Sequence, residues 1–319
     1  MKRISFFGFN SRLLILIAGS VSLAMQIGLG DPSTASENLK PVESLEQSRG
    51  NVPPATCGHI VRRNPNISAY WVKLDLDNTN IGVRVSRGGE DPDGSGPWET
   101  TLLPTTEIAA REHFDIAVNG DFFLAENTLD IEGKKTGYIR GKFAKPEGPA
   151  MTDGLLWNKP IESRPCLEIT ASNTVQIAWF GPRDTVGTSI RQIVGGGQII
   201  VQNGEPVILT NHFAVTRNPR TAAGVDRTGK LLTLLVVDGR QPELSVGMTL
   251  HELSLEMVRL GCSTAINLDG GGSSTLVYRD PATQKLKVIN SPSDKKERSV
   301  ADVLGVTVKG SLPPAPDNS

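Results

Sequence analysis

The stretch Thr264-Ala265-Ile266-Asn267-Leu268-Asp269-Gly270-Gly271-Gly272-Ser273-Ser274 sets an apolar strand end directly against a carboxamide, a carboxylate, three glycines and two hydroxyls. Glycine adopts backbone conformations closed to other residues. The chain can therefore leave a sheet at Asp269 through a turn that brings backbone N–H groups close to an anion or a sugar hydroxyl. Taken alone, Asp-Gly-Gly-Gly is more simply a tight loop whose Asp and Asn satisfy their own backbone. What precedes it changes the reading. Leu231-Leu232-Thr233-Leu234-Leu235-Val236-Val237 is an apolar run of strand length ending in the turn Asp238-Gly239-Arg240. Thr249 to Glu252 has the Thr-x-x-Glu capping-box form, and Leu250, Leu253, Met257 and Leu260 recur at helical spacing until Gly261. Strand, helix and strand predict a crossover unit whose two strands are parallel neighbours. The expected fold is α+β (mixed α/β), with a central mixed sheet. Asp238, Arg240, Asn267 and Asp269 then gather at C-terminal strand ends, the edge where open α/β sheets bind ligands.

A net charge of −1 over 319 residues gives no basic field for nucleic acid, and 38% hydrophobic content supports a real core. Lys2, Arg3 and Arg12 flank an apolar run from Leu13 to Ala24, and the small residues Ser33-Thr34-Ala35 follow. This pattern predicts a secretory signal over 1–35 and an exported protein. A retained N-terminal anchor is the rival reading, because the apolar stretch is borderline in length. No later segment approaches a membrane span. Residues 36–60 read as a polar linker, 61–310 as the folded domain and the proline-rich 311–319 as a disordered tail. In an exported protein the three cysteines permit one disulfide, which we place at Cys57–Cys166, leaving Cys262 as a small apolar residue.

Alternation from Ala69 to Arg87 around Asp77-Asn78-Thr79-Asn80 predicts a β-hairpin. Thr105 to His113 reads as a helix leading into Ile116-Ala117-Val118 and then Asn119-Gly120-Asp121-Phe122-Phe123. This motif sets a carboxamide at a strand end beside aromatic faces on which a sugar could stack, although a turn with two core phenylalanines is the plainer reading. Residues 124–150 read as an exposed loop. Gly195-Gly196-Gly197 interrupts a strand-like run, which implies a bulge or close backbone approach. No Gly-Lys-Ser/Thr follows it and no G-x-G-x-x-G occurs, so nucleotide cofactors are not supported. Arg217-Asn218-Pro219-Arg220 puts two guanidinium groups at a proline-fixed turn, suited to phosphate or carboxylate, with ordinary surface ion pairs as the alternative. His-Glu-x-x-His and Gly-x-Ser-x-Gly are both missing, which weakens zinc and serine-hydrolase chemistry.

Together, Asn119-Gly120-x-Phe122-Phe123, Gly196-Gly197, Arg217-x-Pro219-Arg220-Thr221-Ala222-x-Gly224, Asp238-Gly239-Arg240, Glu252 and the run Asn267 to Ser274 resemble the phosphodiester glycosidase family, over about residues 115–308. The resemblance implies hydrolysis of a sugar-1-phosphodiester at the glycosidic C1–O bond, on a sugar-phosphodiester or an envelope glycan. That chemistry gives an oxocarbenium-like sugar and growing charge on the leaving phosphate. On this reading Asp269, and after it Asp238, is the catalytic carboxylate, and Arg220 with Arg217 or Arg240 clamps the phosphate. Asn119 and Asn267 orient sugar hydroxyls or a water. The backbone at Gly196, Gly197, Gly270, Gly271, Gly272 and Ser273 approaches the ligand. Glu252 is explained by its capping box, and Asp121 occupies a variable place in its motif. No cofactor is required, though Asp269 and Asn267 with diester oxygens would suit a divalent cation without forming a dedicated cage. Two alternatives stay open: a metal-dependent phosphodiesterase cutting P–O, and a non-catalytic envelope glycan-binding protein.

Overall fold

The computed structural model describes residues 54–126 and 137–316. They fall in one compact unit, Gly50–Ser319; the other unit, Met1–Arg49, lies outside the described residues and carries the expected signal segment.

Among the described residues, twenty-two strands and three short α-helices make this a mainly-β fold, which corrects the expected mixed α/β class. Every strand pairing among the described residues is antiparallel. The error lies in the crossover unit. Strand Leu231–Val237, helix Leu250–Arg259 and strand Thr264–Asn267 all form, and Thr249 and Glu252 close both arms of the capping box. The two strands are nevertheless not neighbours. Arg220–Val225 lies between them, antiparallel to both, with Ala222 opposite Leu235 on one side and Asn267 on the other. Its Thr-Ala-Ala-Gly run carries little strand signal because the helix packs on it. A Cβ on Gly224 would stand 2.7 Å from the Met257 side chain and 2.8 Å from Cys262 Sγ. Small residues there let the helix lie on the sheet, and Leu253, Met257 and Cys262 fill that outer core.

Three sheets enclose the main core. A seven-stranded sheet holds Ile67–Asp75 and the three strands just named. A five-stranded sheet holds Ile81–Arg87, Ile116–Asn119, Leu276–Arg279 and Asp302–Val308. Another five-stranded sheet holds Arg164–Thr170 and Ile190–Gly195. The expected hairpin at Ala69–Arg87 does not form: Ile67–Asp75 pairs with Ala55–Arg62 and Leu231–Val237, whereas Ile81–Arg87 pairs with Asp302–Val308. The polar turn between them carries the chain from one sheet to the next. The alternation is still obeyed, because Val72, Leu74, Val83 and Val85 all face the shared core.

At the ends of the domain, Ala55–Arg62 is an edge strand where a linker was expected. Leu312 is buried, and Tyr278 donates its hydroxyl to the Pro313 carbonyl at 2.8 Å, so the part of the tail up to residue 316 lies against the core. The expected Cys57–Cys166 disulfide is absent. Cys57 donates to the Pro314 carbonyl, whereas Cys166 is buried in a different sheet, paired with Ala178 and Gly195. Cys262 is buried in the apolar layer beneath the helix.

Candidate active site

The site forms where two sheets meet end to end. Ile116–Asn119 runs out toward Gly120 and Asp121, Asp302–Val308 starts beside them, and Thr264–Asn267 delivers Asp269 from the larger sheet. Backbone and side chain knit the three together. Asp269 N–H donates to the Gly120 carbonyl at 3.0 Å, and Gly120 N–H donates to the Asp302 carbonyl at 3.0 Å. Asp121 N–H donates to Asp302 Oδ1 at 2.9 Å. Glycine is required at position 120, since a Cβ there would run into the Asp302 carboxylate.

Three carboxylates result. Asp302 is 0% exposed, and its Oδ2 has no partner. Asp121 is buried and accepts from Phe122 N–H at 2.8 Å and Gly148 N–H at 2.5 Å. Asp269 is partly buried, with Oδ1 held by Gly270 N–H at 2.8 Å. Burial pushes Asp269 up to about 6, against the Ser273 side chain, the Gly270 N–H and the positive charge of Arg298. Asp302 and Asp121 are both raised, first by burial and then by negative neighbours, Asp269 for Asp302 and Asp302 for Asp121. Crowding and desolvation oppose the ionisation of all three carboxylates together, which favours retention of a proton within the cluster.

The glycine loop is flanked by arginines. Gly271 has φ +62°, and a Cβ on it would stand 3.2 Å from Arg240 Nη2. A Cβ on Gly272 would collide with the Arg298 guanidinium and the Asp294 carboxylate. Arg240 is exposed, bonded through Nε and Nη2 to Asn218 Oδ1. Arg220 is 0% exposed, yet no carboxylate partners it. It donates to the carbonyls of Met248, Phe213 and Thr216, lies 4.4 Å over the Phe213 ring, and leaves Nη1 without an acceptor. Burial and then Arg240 depress its pKa to about 10, so it stays charged. Two uncompensated guanidinium groups beside a glycine loop make an anion site. Arg217 is outside that set, because Glu252 takes its Nη2 and Gly247 its Nη1.

Several predicted residues serve the frame instead. Asn119 is 1% exposed and all its bonds go to protein. Gly196 and Gly197 are contact glycines, the first against Ile266, the second against the Phe122 ring. Asp238 is buried against Ser68, Asn290 and the Ser291 N–H, and burial raises it to about 6. Asn267 is 0% exposed with Oδ1 unpartnered, and the hydroxyls of Ser274 and Thr275 are likewise buried and unpartnered. Among the described residues, no three His, Cys, Asp or Glu side chains converge on a metal position. Sequence reasoning missed Asp302, Asp121 and Arg298. The Arg298-Ser-Val-Ala-Asp302 segment read as the approach to a strand, and its one signal is two charges spaced across a run of small residues.

Known proteins resemble the chain in sequence and in fold. A family model described as phosphodiester glycosidase matches residues 112–307. N-acetylglucosamine-1-phosphodiester alpha-N-acetylglucosaminidase of Bos taurus is 43% identical over 205 residues, which are 59% of this chain and 36% of that protein. The SPbeta prophage-derived uncharacterized protein YomE of Bacillus subtilis is 36% identical over 91 residues, 28% of this chain and 13% of that one. The chain thus spans far less than the full length of either relative. The structure of the zebrafish N-acetylglucosamine-1-phosphodiester alpha-N-acetylglucosaminidase catalytic domain, auto-inhibited by pro-peptide, superimposes with a TM-score of 0.57 at 22% identity, covering 81% of this chain and 85% of that one. With the family model spanning the glycine loop and all three carboxylates, the chain belongs to the phosphodiester glycosidase family.

Proposed function

We propose that the protein hydrolyses the glycosidic C1–O bond of sugar-1-phosphodiesters of the N-acetylglucosamine type, outside the cytoplasm, on an envelope or exopolysaccharide substrate. The observation that carries this reading is Asp302 Oδ2, buried and unpartnered beside Asp269, at a loop flanked by Arg240 and Arg298. Water adds its oxygen to C1 as the C1–O bond breaks and the electron pair leaves on the phosphate oxygen. An ionised Asp269 takes the proton from water, and a protonated Asp302 donates a hydrogen bond toward the sugar or the leaving oxygen. Arg240, Arg298 and Arg220 offset the charge that grows on phosphate. The homology to a named N-acetylglucosaminidase supports the sugar. The N-terminal basic and apolar pattern supports export, and no described helix is long and apolar enough to cross a membrane.

The test is product identification. The mature protein and its Asp269→Asn and Asp302→Asn variants are incubated with N-acetylglucosamine-1-phosphodiesters, with and without chelator. Free sugar and a phosphomonoester, lost in both folded variants, are expected. Sugar phosphate as the product would instead mean P–O cleavage and overturn the proposal.

A further inference from the structure

A second cleft, of about 460 Å³, has Glu147 in its wall, the residue before Gly148, whose N–H binds Asp121. That volume lies in the range that encloses a small organic ligand, about 300–1,000 Å³. Its floor and walls include Trp98, Leu124 and Ile161, with Leu124 54% and Ile161 83% exposed. Lys145, Lys159 and Arg164 also line it. Arg164 takes both Glu147 and Glu162, whereas neither Lys145 nor Lys159 forms an ion pair among the described residues, Lys145 having only the through-space charge of Glu99. Arg164 Nε is itself buried without an acceptor.

The cleft is coupled to the reaction centre through one short segment. Glu147, at its edge, donates its N–H to the Phe122 carbonyl at 2.8 Å, and the next residue, Gly148, holds Asp121 Oδ2. The Glu147 charge is felt at both Asp121 and Asp269. The phosphate side of the substrate is accounted for by the arginines of the glycine loop, so a ligand reaching this cleft from C1 extends from the sugar.

We propose that the cleft is a subsite for a further sugar residue carrying a carboxylate, linked to the sugar whose C1–O bond is cleaved. An indole face and aliphatic side chains pack the apolar face of a sugar ring, and two ammonium groups free of ion pairs with a guanidinium donor fit an anionic substituent. This subsite rests on the glycosidase reading for its substrate, though not for its binding.

Three N-acetylglucosamine-1-phosphodiesters separate the possibilities: one unextended, one bearing glucose at O4 and one bearing glucuronic acid at O4. The acid-extended ester should show a KM about tenfold below the unextended one, with the glucose-extended ester between them. Trp98→Ala should remove the gain from extension, and a Lys145→Gln/Lys159→Gln double variant should remove only the preference for the acidic sugar. Neither should change kcat or KM for the unextended ester. Equal KM values for all three esters in the unaltered protein would overturn the subsite. Calorimetric binding of the free glucuronyl-N-acetylglucosamine disaccharide provides a readout without turnover. Binding that is weakened by Trp98→Ala, together with no hydrolysis of any ester, keeps the subsite and removes the glycosidase reading. No binding beyond that of N-acetylglucosamine alone removes the subsite.

Discussion

Asn119 Nδ2 donates to the backbone carbonyl of Asp269 at 2.7 Å across 150 residues of sequence, while its Oδ1 accepts from Thr221 Oγ1 at 2.8 Å and Thr275 N–H at 3.2 Å. One buried carboxamide therefore fixes where the carboxylate loop leaves the sheet. It has little capacity left for a sugar, because a carboxamide with both ends engaged this way is a positioning group.

Asn119→Ala should lower stability by about 2–4 kcal/mol, since three buried partners lose their hydrogen bonds and each unmet group costs about 1–3 kcal/mol with partial relaxation. The kcat should fall at least tenfold, with KM changing less, because Asp269 shifts while the arginines stay. Urea unfolding with steady-state kinetics checks this. Unchanged stability with only a raised KM would instead make Asn119 a ligand group.

The pH profile follows from the raised carboxylates. Asp269 must be ionised to take a proton, and burial has moved it up to about 6. The kcat/KM should thus rise with pH through an apparent value near 6 and fall again where Asp302 loses its proton. These values belong to the coupled cluster rather than to one residue. Asp302→Asn should remove the alkaline limb. A profile flat from pH 5 to 8 would exclude these groups from the reaction.

Asp238 gives a separate, purely structural pH effect. Its native pKa, about 6, lies above the carboxylate's ordinary value, so the folded state binds more protons between pH 4 and 6. Its contribution is full below about pH 4 and is lost as pH rises to 6, by about 3 kcal/mol for a two-unit shift. The Asp238→Asn variant should lack this decline. Unfolding free energies at pH 4, 5, 6 and 7, compared between the two proteins, test the difference in slope.

Much of this was legible from local pattern, and what was not has a common cause. The apolar run Leu231–Val237, the Thr249–Glu252 capping box and the glycine loop are each written in consecutive residues, and each formed as read. Sheet partnership is not local. Arg220–Val225 inserted between two strands that sequence order would have paired, because small residues were needed beneath Met257 and Cys262. The site shows the same limit. Asp269 stood out among its glycines, whereas Asp302 gains its role only by meeting Gly120 and Asp121, about 180 residues earlier in the chain.

The arginines can be ranked by their place at the glycine loop. Arg240 and Arg298 flank the glycine loop, Arg298 while ion-paired with Asp294, whereas Arg217, bound to Glu252, makes no such contact with the loop. A charged hydrogen bond to phosphate is worth about 1.5–3 kcal/mol, so Arg240→Ala and Arg298→Ala should each lower kcat/KM by roughly 10- to 150-fold. Arg217→Ala should change it less than threefold and cost under about 1 kcal/mol of stability, the range of a partly exposed pair. Equal losses at all three positions would return Arg217 to the phosphate site.

Two glycine substitutions separate framework from chemistry. At Gly197 an added Cβ would stand 2.8 Å from the Phe122 ring, itself edge-on to Phe213 at 6.0 Å between centroids. A packed ring cannot step aside, so Gly197→Ala should destabilise by about 1–3 kcal/mol, the usual range for overpacking. At Gly272 the obstructing atoms are the ends of the Arg298 and Asp294 side chains, which can swing away. Gly272→Ala should therefore fold with near-normal stability and lose activity, because the guanidinium that sits over the loop and opposes the raised pKa of Asp269 is displaced. Thermal unfolding beside kcat/KM decides it: a Gly272→Ala protein that is both stable and fully active would show that Arg298 takes no part in the reaction.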